Sequence, residues 1–262
     1  MYQTITVERD GDLGILCLND PSRLNAISLQ MLEEINAALD ELTPSIRALL
    51  IMANGRGFCS GAALDSGLVE FDPDLSKRDA GLILGTHINP LMTRLRNLPV
   101  PWITAVQGAA AGAGASLALS GDMVVAGESA FFLQAFARVG LVPDAGATHM
   151  LVRAVGRVRA MELQLLAERL PAQRALQWGL VNRVVADAEL EQTARAIASQ
   201  LAQGPTIALG LIRRNVWQAL DVDWEVMLQA ERESQRVAGC TLDAEEGRLA
   251  FLEKRPAQFV GR

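Results

Sequence analysis

Apolar residues recur along the chain in short runs typical of strands and in longer stripes of helical period. Residues 4–7 alternate, residues 14–18 form a short apolar run, and the Gly-containing turn between them predicts a β-hairpin. A helix is predicted from Ser28, a favoured N-cap residue, to about residue 42, because its apolar positions share one face. Residues 47–52 form an apolar run typical of a buried strand.

The rest of the chain continues with strands first and helices later. A helix is predicted at 83–98, a strand at 102–107 and a small-residue helix ending near residue 120. Further strands are predicted at 123–126, 131–133 and 181–185, and further helices at 146–155, 158–167, 172–178, 188–203, 205–220, 223–239 and 242–253. This order predicts an α/β fold with a helical C-terminal region, as a single continuous unit of a core at 1–195 and helices at 196–262.

Composition removes several classes of function. The 262 residues have a formal net charge of −6 and contain no block of Lys or Arg, so neither nucleic acid nor an anionic membrane surface is an expected partner. The longest apolar stretches are rich in Gly and Ala and too polar to span a bilayer, and no signal peptide is evident, so we expect a cytoplasmic protein. Three widely spaced cysteines predict neither a disulfide framework nor a zinc site.

Two segments share the order strand, glycine-rich loop, helix. In the first, residues 49–52 lead into the loop at 57–63; in the second, residues 103–106 lead into the loop at 108–115. Small residues allow a ligand to approach the backbone, and a helix N-terminus offers free N–H groups to an anion. Two such donors directed at one oxygen would form an oxyanion hole.

Glycine and alanine also serve simply for close packing, and either loop alone favours that interpretation. The GAGA segment at 112–115 superficially suggests a dinucleotide or phosphate loop. However, the chain has neither a GxGxxG with an acid about 20 residues later nor a GxxxxGK[ST] motif, so both cofactor interpretations are weak.

Six segments in order resemble the enoyl-CoA hydratase/isomerase (crotonase) family, over essentially the whole chain. They are NDPSRLNA at 19–26, RGFCSG at 56–61, VQGAAAGAG at 106–114, GLVPDAGAT at 140–148, ALQWGLV at 175–181 and FLEKRP at 251–256. The resemblance implies a crotonase-like core, 1–195, built as a spiral of ββα turns, with 196–262 as a C-terminal helical trimerisation region. It also implies a homotrimer or homohexamer, a coenzyme A thioester as substrate, and no metal or other cofactor.

The resemblance also assigns roles to individual residues. The oxyanion donors would be the backbone N–H groups of Ala62 and Ala113. The nucleotide end of coenzyme A would lie beside Arg23, Leu24 and Ala26. Lys254 would reach the coenzyme A of a neighbouring subunit, although a solvated charge is an equal alternative. The other expected substrate contacts are Ser60, Ala63, Leu64, Gly112, Ser116, Phe136 and Pro143.

The sequence departs from the family where hydration chemistry needs its groups. Typical hydratases of the family use two glutamates, because adding water requires one group to activate it and another to deliver a proton. The matching positions here are Ser116 and Phe136, neither of which can act as a carboxylate base. The family's Asp after the first loop is also replaced, by Ala63, which suggests altered packing rather than lost catalysis.

One acid remains at a suitable position, Asp144. The segments around it resemble the subgroup of 1,2-epoxyphenylacetyl-CoA isomerases of phenylacetate degradation, in which the residue at this position serves as the catalytic acid. A single base suffices to move a double bond, because the same acid can remove a proton and return it elsewhere. Its apolar surroundings predict a raised pKa. The alternative is that Asp144 only caps the following helix.

Three other functions stay open. One is a hydratase with an atypical site. Another is a haloaroyl-CoA dehalogenase, which uses an Asp at this position as a covalent nucleophile, with an aromatic residue at the place of Phe136 and a histidine about two positions out of register with His87. The third is a non-catalytic acyl-CoA binding protein. Among other residues, Ser116 and Cys59 are interpreted as space fillers and His149 as structural.

Overall fold

A six-stranded sheet forms the centre of the structure, a computed structural model that describes residues 2–63 and 74–262. The strands of the described chain are β1 (Ile5–Asp10), β2 (Leu13–Leu18), β3 (Ala48–Ala53), β4 (Trp102–Val106), β5 (Ala109–Ala111), β6 (Met123–Gly127), β7 (Phe131–Leu133), β8 (Leu170–Pro171) and β9 (Arg183–Val185). The large sheet has the order β1-β2-β3-β4-β6-β9. Only β1 and β2 pair antiparallel, which confirms the predicted hairpin; the other neighbours are parallel.

A second, small sheet with the order β5-β7-β8 runs beside the first. An isolated parallel bridge between Cys59 and Ala110 attaches the first glycine-rich loop to strand β5 of this small sheet. The chain therefore alternates between the large sheet, the small sheet and a helix, as in a spiral of ββα turns. Strands β5 and β8 were not predicted from the sequence. Strand β5 is a run of three alanines without strand propensity of its own, β8 has only two residues, and both become extended by pairing with β7.

Helices of the described residues cover both faces of the sheets. They are α1 (Leu29–Leu42), α2 (Asn89–Arg96), α3 (Ala113–Leu119), α4 (Ala147–Leu166), α5 (Ala172–Gln177), α6 (Leu190–Ala202), α7 (Thr206–Gln218), α8 (Trp224–Ala238) and α9 (Leu242–Glu253). Ser28 caps α1 as predicted, its side chain accepting a hydrogen bond from the Met31 N–H. Gly156 interrupts α4 with φ 76° and ψ 165°, so the two helices predicted there are confirmed.

The helix predicted at 83–98 is wrong in detail. Leu84–Ile88 forms a π-helical turn, and the α-helical part, α2, starts only at Asn89. Pro90 follows at the second position of α2, where its missing N–H costs no helical hydrogen bond. One continuous α-helix would place Pro90 in the helix interior, where that bond would be lost.

The first helix of the C-terminal part, α6, packs on the large sheet and belongs to the core. The apolar face of α6, including Leu190, Ala194 and Ile197, packs on the large sheet against Leu50 and Ile103. The predicted boundary at residue 195 therefore falls within a helix of the core layer, and a trimerisation function for 196–262 stays a prediction. No helix of the described residues is long and apolar enough to cross a membrane.

Candidate active site

The two glycine-rich loops lie against each other along their backbones. The N–H of Phe58 donates to the carbonyl oxygen of Gln107 at 2.8 Å, and the N–H of Cys59 donates to that of Ala109 at 3.0 Å. In return, the Ala111 N–H donates to the Cys59 carbonyl oxygen at 2.9 Å. These hydrogen bonds join segments that are far apart in the chain and bring the starts of the two following segments, Ala62 and Ala113, close together.

Glycine is required where the loops meet. Gly61 has φ +99°, and a Cβ on it would lie 2.9 Å from the Ala111 carbonyl oxygen and 3.7 Å from the Gly112 Cα. Residues with a side chain rarely adopt such a φ, and there is no space here for a methyl group. Gly61 and Gly112, which directly precede the two predicted donors, are therefore in backbone contact.

Ala62 and Ala113 each present a free backbone N–H. The residues on either side of Ala62 pair with Ile27. The Ile27 N–H donates to the Gly61 carbonyl oxygen at 2.8 Å, and the Ile27 carbonyl oxygen accepts from the Ala63 N–H at 2.9 Å. Ala113 is the first residue of α3, where an N–H has no partner within the helix. No described atom accepts a hydrogen bond from either group. Two unpaired donors, one of them at a helix start, are the components of an oxyanion hole.

Asp144 is half-buried and carries an unpaired carboxylate oxygen. Its Oδ1 is shielded from solvent and has no hydrogen-bond partner among the described residues. Burial raises the pKa of this carboxyl to about 6, as its apolar sequence neighbourhood predicts. The capping alternative is wrong, because Gly146 is the N-cap of α4 and no side chain caps that helix. Asp144 contributes only its backbone oxygen, which accepts from Ala147 at 2.9 Å.

Ser116 connects Asp144 to the second loop, and Phe136 lies beside the same loop at Gly112. The buried Ser116 hydroxyl lies 3.2 Å from the Asp144 carbonyl oxygen and 3.4 Å from that of Gly112, so its single proton serves one of them at a time. A methyl group on Gly112 would lie 3.8 Å from the tip of the buried Phe136 ring. Ser116 is therefore more than the space filler predicted from sequence, since it links the loop at Gly112 to the segment of Asp144.

Comparisons with known proteins agree with this arrangement. The sequence model of the family described as Enoyl-CoA hydratase/isomerase matches residues 8–262.

The chain belongs to the enoyl-CoA hydratase/isomerase family.

Individual members of the family are similar over nearly their whole length. A 1,2-epoxyphenylacetyl-CoA isomerase of Escherichia coli is 44% identical over 249 residues, 94% of each chain. A probable enoyl-CoA hydratase of Rhodobacter capsulatus is 40% identical over 100% of this chain and 99% of that protein. The crystal structure of an enoyl-CoA hydratase from Bacillus anthracis superposes with a TM-score of 0.91 at 31% identity, covering 99% of this chain and 100% of the other. The crotonase-like fold predicted from the sequence is thereby confirmed.

The residues that the family resemblance places beside coenzyme A meet at the first loop. The Ser60 N–H donates to the Leu24 carbonyl oxygen at 3.0 Å, and the Ser60 hydroxyl donates to that of Arg23 at 3.3 Å. Ala26 is half-buried next to them, and the Arg23 side chain is exposed. The structure thus brings the predicted nucleotide-end residues to the rim of the loop that ends in the Ala62 donor.

Asn25 fixes that rim and was not identified from the sequence. It is fully buried, and its Oδ1 accepts from the Asp20 N–H at 2.8 Å. Its Nδ2 donates to the carbonyl oxygens of Asn54 at 2.9 Å and Gly57 at 3.0 Å. A polar residue between the apolar Leu24 and Ala26 was the signal available in the sequence, but two of its partners lie in a distant segment.

Replacing Asn25 with Ala is expected to destabilise the protein by about 2–4 kcal/mol, because three backbone groups, of which the Gly57 carbonyl oxygen is buried, lose their partner. Urea unfolding followed by circular dichroism measures the change. Ser22→Ala is the matched control: Ser22 is exposed in the same segment and bonds only Asp20, so its effect should stay within about 0.5 kcal/mol. Equal effects of the two variants would contradict the clamp.

Other predicted site residues are placed as follows. Ala63 is buried behind Ala62, and Pro143 is half-buried before Asp144. Leu64 lies outside the described residues. Lys254 is exposed at the end of α9; within one chain nothing shows it at the site, so its contact with a neighbour's coenzyme A stays a prediction.

The cysteines form no disulfide, and the described residues contain no cluster of metal ligands. All three cysteines are free thiols. Burial raises the pKa of the Cys59 thiol to about 12, in agreement with its interpretation as an apolar filler. No group of three or more His, Cys, Asp or Glu side chains that could hold a metal ion is found in residues 2–63 and 74–262.

Proposed function

We propose that this member of the family is an enoyl-CoA isomerase that shifts a double bond from the Δ3 to the Δ2 position with Asp144 as its single base. The observation that supports this most strongly is the state of Asp144: a half-buried carboxylate with an unpaired oxygen and a pKa of about 6. Its backbone oxygen contacts Ser116 on the helix that begins with the unpaired Ala113 donor. A base with a pKa near the working pH can both remove and return a proton.

The reaction follows from these groups. The thioester carbonyl oxygen accepts hydrogen bonds from the N–H groups of Ala62 and Ala113, which stabilise negative charge on it. Asp144 removes a proton from C2 of the 3-enoyl thioester, and the electron pair moves into a dienolate held by the two donors. The protonated Asp144 then returns the proton to C4, which leaves the double bond between C2 and C3. Nothing is oxidised or reduced, so the proposal needs no cofactor, and coenzyme A takes part only as the substrate's carrier.

The two positions where hydratases of this family are expected to have glutamates support one-base chemistry. Ser116 uses its hydroxyl on backbone carbonyl oxygens, and Phe136 is a buried ring near Gly112. Neither supplies a second carboxylate to activate water. The relative from Escherichia coli, named an isomerase, agrees with this proposal, whereas the one from Rhodobacter capsulatus is named a probable hydratase.

The decisive experiment is incubation of the purified protein with a 3-enoyl-CoA in heavy water, with NMR and mass spectrometry of the product. We expect the 2-enoyl isomer, with deuterium incorporated at C2 and C4, the carbons that exchange protons with Asp144. Asp144→Asn should abolish conversion, whereas the control Asp40→Asn, an exposed α1 residue paired with Arg94, should retain it. Unchanged turnover in Asp144→Asn would refute the assignment.

The alternatives give different results in the same preparation. Addition of water to a 2-enoyl-CoA would favour a hydratase, and chloride release from a haloaroyl-CoA with an acyl group captured on Asp144 would favour the dehalogenase. His87, which is about two positions out of register with the histidine of the dehalogenase alternative, lies in the π-helical turn with its Nδ1 2.8 Å from the Thr86 hydroxyl oxygen. Tight binding of acyl-CoA without exchange next to the thioester would favour a binding protein.

The pH profile is a further test of Asp144 as the base. Because the base must be deprotonated, kcat/KM for isomerisation should fall about tenfold per pH unit below a pKa of about 6 and level off above it. Initial rates between pH 4.5 and 8, with the enzyme's integrity checked by return to pH 7, measure this. An inflection near pH 4, as for an exposed aspartate, would contradict the buried state of the carboxyl.

We further propose that the protein acts in the cytoplasm as a homotrimer or homohexamer. The three free thiols are consistent with a reducing compartment. Large apolar side chains lie exposed on the last helices, among them Trp224 (72% exposed) and Phe251 (82%), which favours burial against other copies. Light scattering after size-exclusion chromatography should give three or six times the 28.2 kDa chain mass; a monomer would contradict this.

A further inference from the structure

A cavity of about 390 Å³ begins directly beside the residue after Asp144. Ala145 and Gly146 form one side of it, and its apolar walls include Met92, Met150 and Trp217. Its volume falls within the range of about 300–1,000 Å³ that is typical of small-molecule pockets. Its lining also includes His149, one turn further along α4.

A small apolar crevice of about 10 Å³ lies between this cavity and the Ala113 donor. The crevice is lined by Ala113 and Leu117 of α3, and it shares Met92 and Ala145 with the larger cavity. Ala145 therefore lies between the Ala113 donor and the larger cavity, and an acyl group that extends past Ala145 enters the cavity that His149 lines. This is the direction that an acyl group must take if Asp144 is to reach its carbons.

The polar groups in the buried part of the cavity are already paired, with one exception. Arg96 donates to Asp221 and to the Trp217 carbonyl oxygen, and Ser120 donates to the Leu117 carbonyl oxygen. The Trp217 ring N–H donates to Asp122 at 3.1 Å. Asn89 and Thr93 are exposed. His149 makes no hydrogen bond to any described residue, so it is the polar group in this lining that remains available to a ligand.

Asp221 lies beside one ring nitrogen of His149. The His149 Nε2 lies 3.5 Å from the Asp221 Oδ1, and Arg96 and Arg153 hold the same carboxylate. Burial and the charge of Arg153 lower the pKa of His149 more than Asp221 raises it, so the imidazole is neutral at pH 7. Because Nε2 faces the carboxylate without a hydrogen bond, the proton of the neutral ring is favoured on Nε2, and Nδ1 is left as a hydrogen-bond acceptor.

We infer that His149, oriented by Asp221, selects thioesters whose acyl group carries a hydroxyl, or a comparable hydrogen-bond donor, beyond the reacting carbons. A plain alkyl chain would cover Nδ1 without replacing its hydrogen bond to water, which is unfavourable. The inference rests on the proposed function only in that it takes the Ala113 N–H and Asp144 as the reacting end of the pocket. His149 acts here as a specificity-determining residue, and Asp221 positions it.

The test uses saturated thioesters, so that it does not depend on turnover. Calorimetric titration should compare hexanoyl-CoA with hexanoyl-CoA hydroxylated at C4, C5 or C6. The wild-type protein is expected to bind at least one hydroxylated thioester about tenfold more tightly than hexanoyl-CoA. His149→Leu should abolish this preference by weakening the hydroxylated ligand while leaving hexanoyl-CoA affinity within about threefold. His149→Gln, which keeps an acceptor, should retain part of it.

Two further variants separate selection from general damage. Asp221→Asn should reduce the preference, because the ring nitrogen facing Asp221 no longer needs to be the protonated one. His87→Leu removes a histidine that does not line the cavity and should leave the preference unchanged. Equal wild-type affinities for all four thioesters, or an undiminished preference in His149→Leu, would overturn the inference. Failure to isomerise 3-enoyl-CoA, with the binding preference intact, would refute the proposed function alone.

Discussion

Asp144→Asn is expected to lower kcat/KM for double-bond isomerisation by about 10³-fold or more and at the same time to stabilise the protein at pH 8. The loss of activity follows because the amide can neither accept nor return the proton. The gain in stability follows because the carboxylate is charged at pH 8 in surroundings that favour its neutral form, whereas the amide carries no charge. Because the group is only partly buried, we expect a gain of about 1 kcal/mol.

The pH dependence of that gain identifies its origin. The folded-state pKa, about 6, lies above the ordinary value of 3.8, so the folded protein binds this proton more tightly than the unfolded chain. The contribution of Asp144 to wild-type stability therefore falls as pH rises from about 4 to about 6, and its full cost is present above pH 6. The stability difference between Asp144→Asn and wild type should be small at pH 4 and largest at pH 7–8.

Urea unfolding of both proteins at pH 4, 6 and 8 measures this difference. Asp40→Asn, at an exposed position, is the control for the general effect of removing a carboxylate. A variant that is less stable than wild type at pH 8 by about 1 kcal/mol would contradict a carboxylate that burial destabilises.

Gly114→Ala is expected to damage both the fold and the oxyanion hole. A Cβ on Gly114 would lie 2.5 Å from the Cys59 carbonyl oxygen and 2.7 Å from the Cys59 Cβ. That oxygen accepts the Ala111 N–H that joins the two loops. The methyl group must push the loops apart, which we expect to cost about 1–3 kcal/mol of stability. A displacement of the Ala62 and Ala113 donors by about 1 Å should lower kcat by about 10²-fold.

Gly85→Ala is the matched control for this substitution. Gly85 is exposed in the π-helical turn, and a Cβ there meets nothing within 4 Å. Its effect on the free energy of unfolding should be small or slightly stabilising, since alanine restricts the unfolded chain. Urea midpoints and single-turnover rates for both variants give the comparison. A Gly114→Ala protein as active as Gly85→Ala would show that the contact between the loops does not position the donors.

Much of the architecture could be predicted because it depends on local rules. The β1–β2 hairpin follows from alternation and a turn, and α1 follows from its apolar stripe and the Ser28 cap. The interruption of α4 at Gly156 was also predictable, since glycine ends a helix where φ must be positive. The failures, β5, β8 and the π-helical turn at Leu84–Ile88, are elements whose hydrogen bonds are decided by neighbours or by a single proline.

The sequence by itself determined the α/β class, the family and the candidate chemical groups, because motif residues and their order are written along the chain. Only the tertiary structure decided how these groups work. The unpaired N–H groups of Ala62 and Ala113 come together through hydrogen bonds between distant loops. The raised pKa of Asp144 is an effect of burial, which depends on everything packed around the carboxyl. The clamp at Asn25 and the pairing of His149 with Asp221 likewise join residues whose separation in the chain conceals their contact.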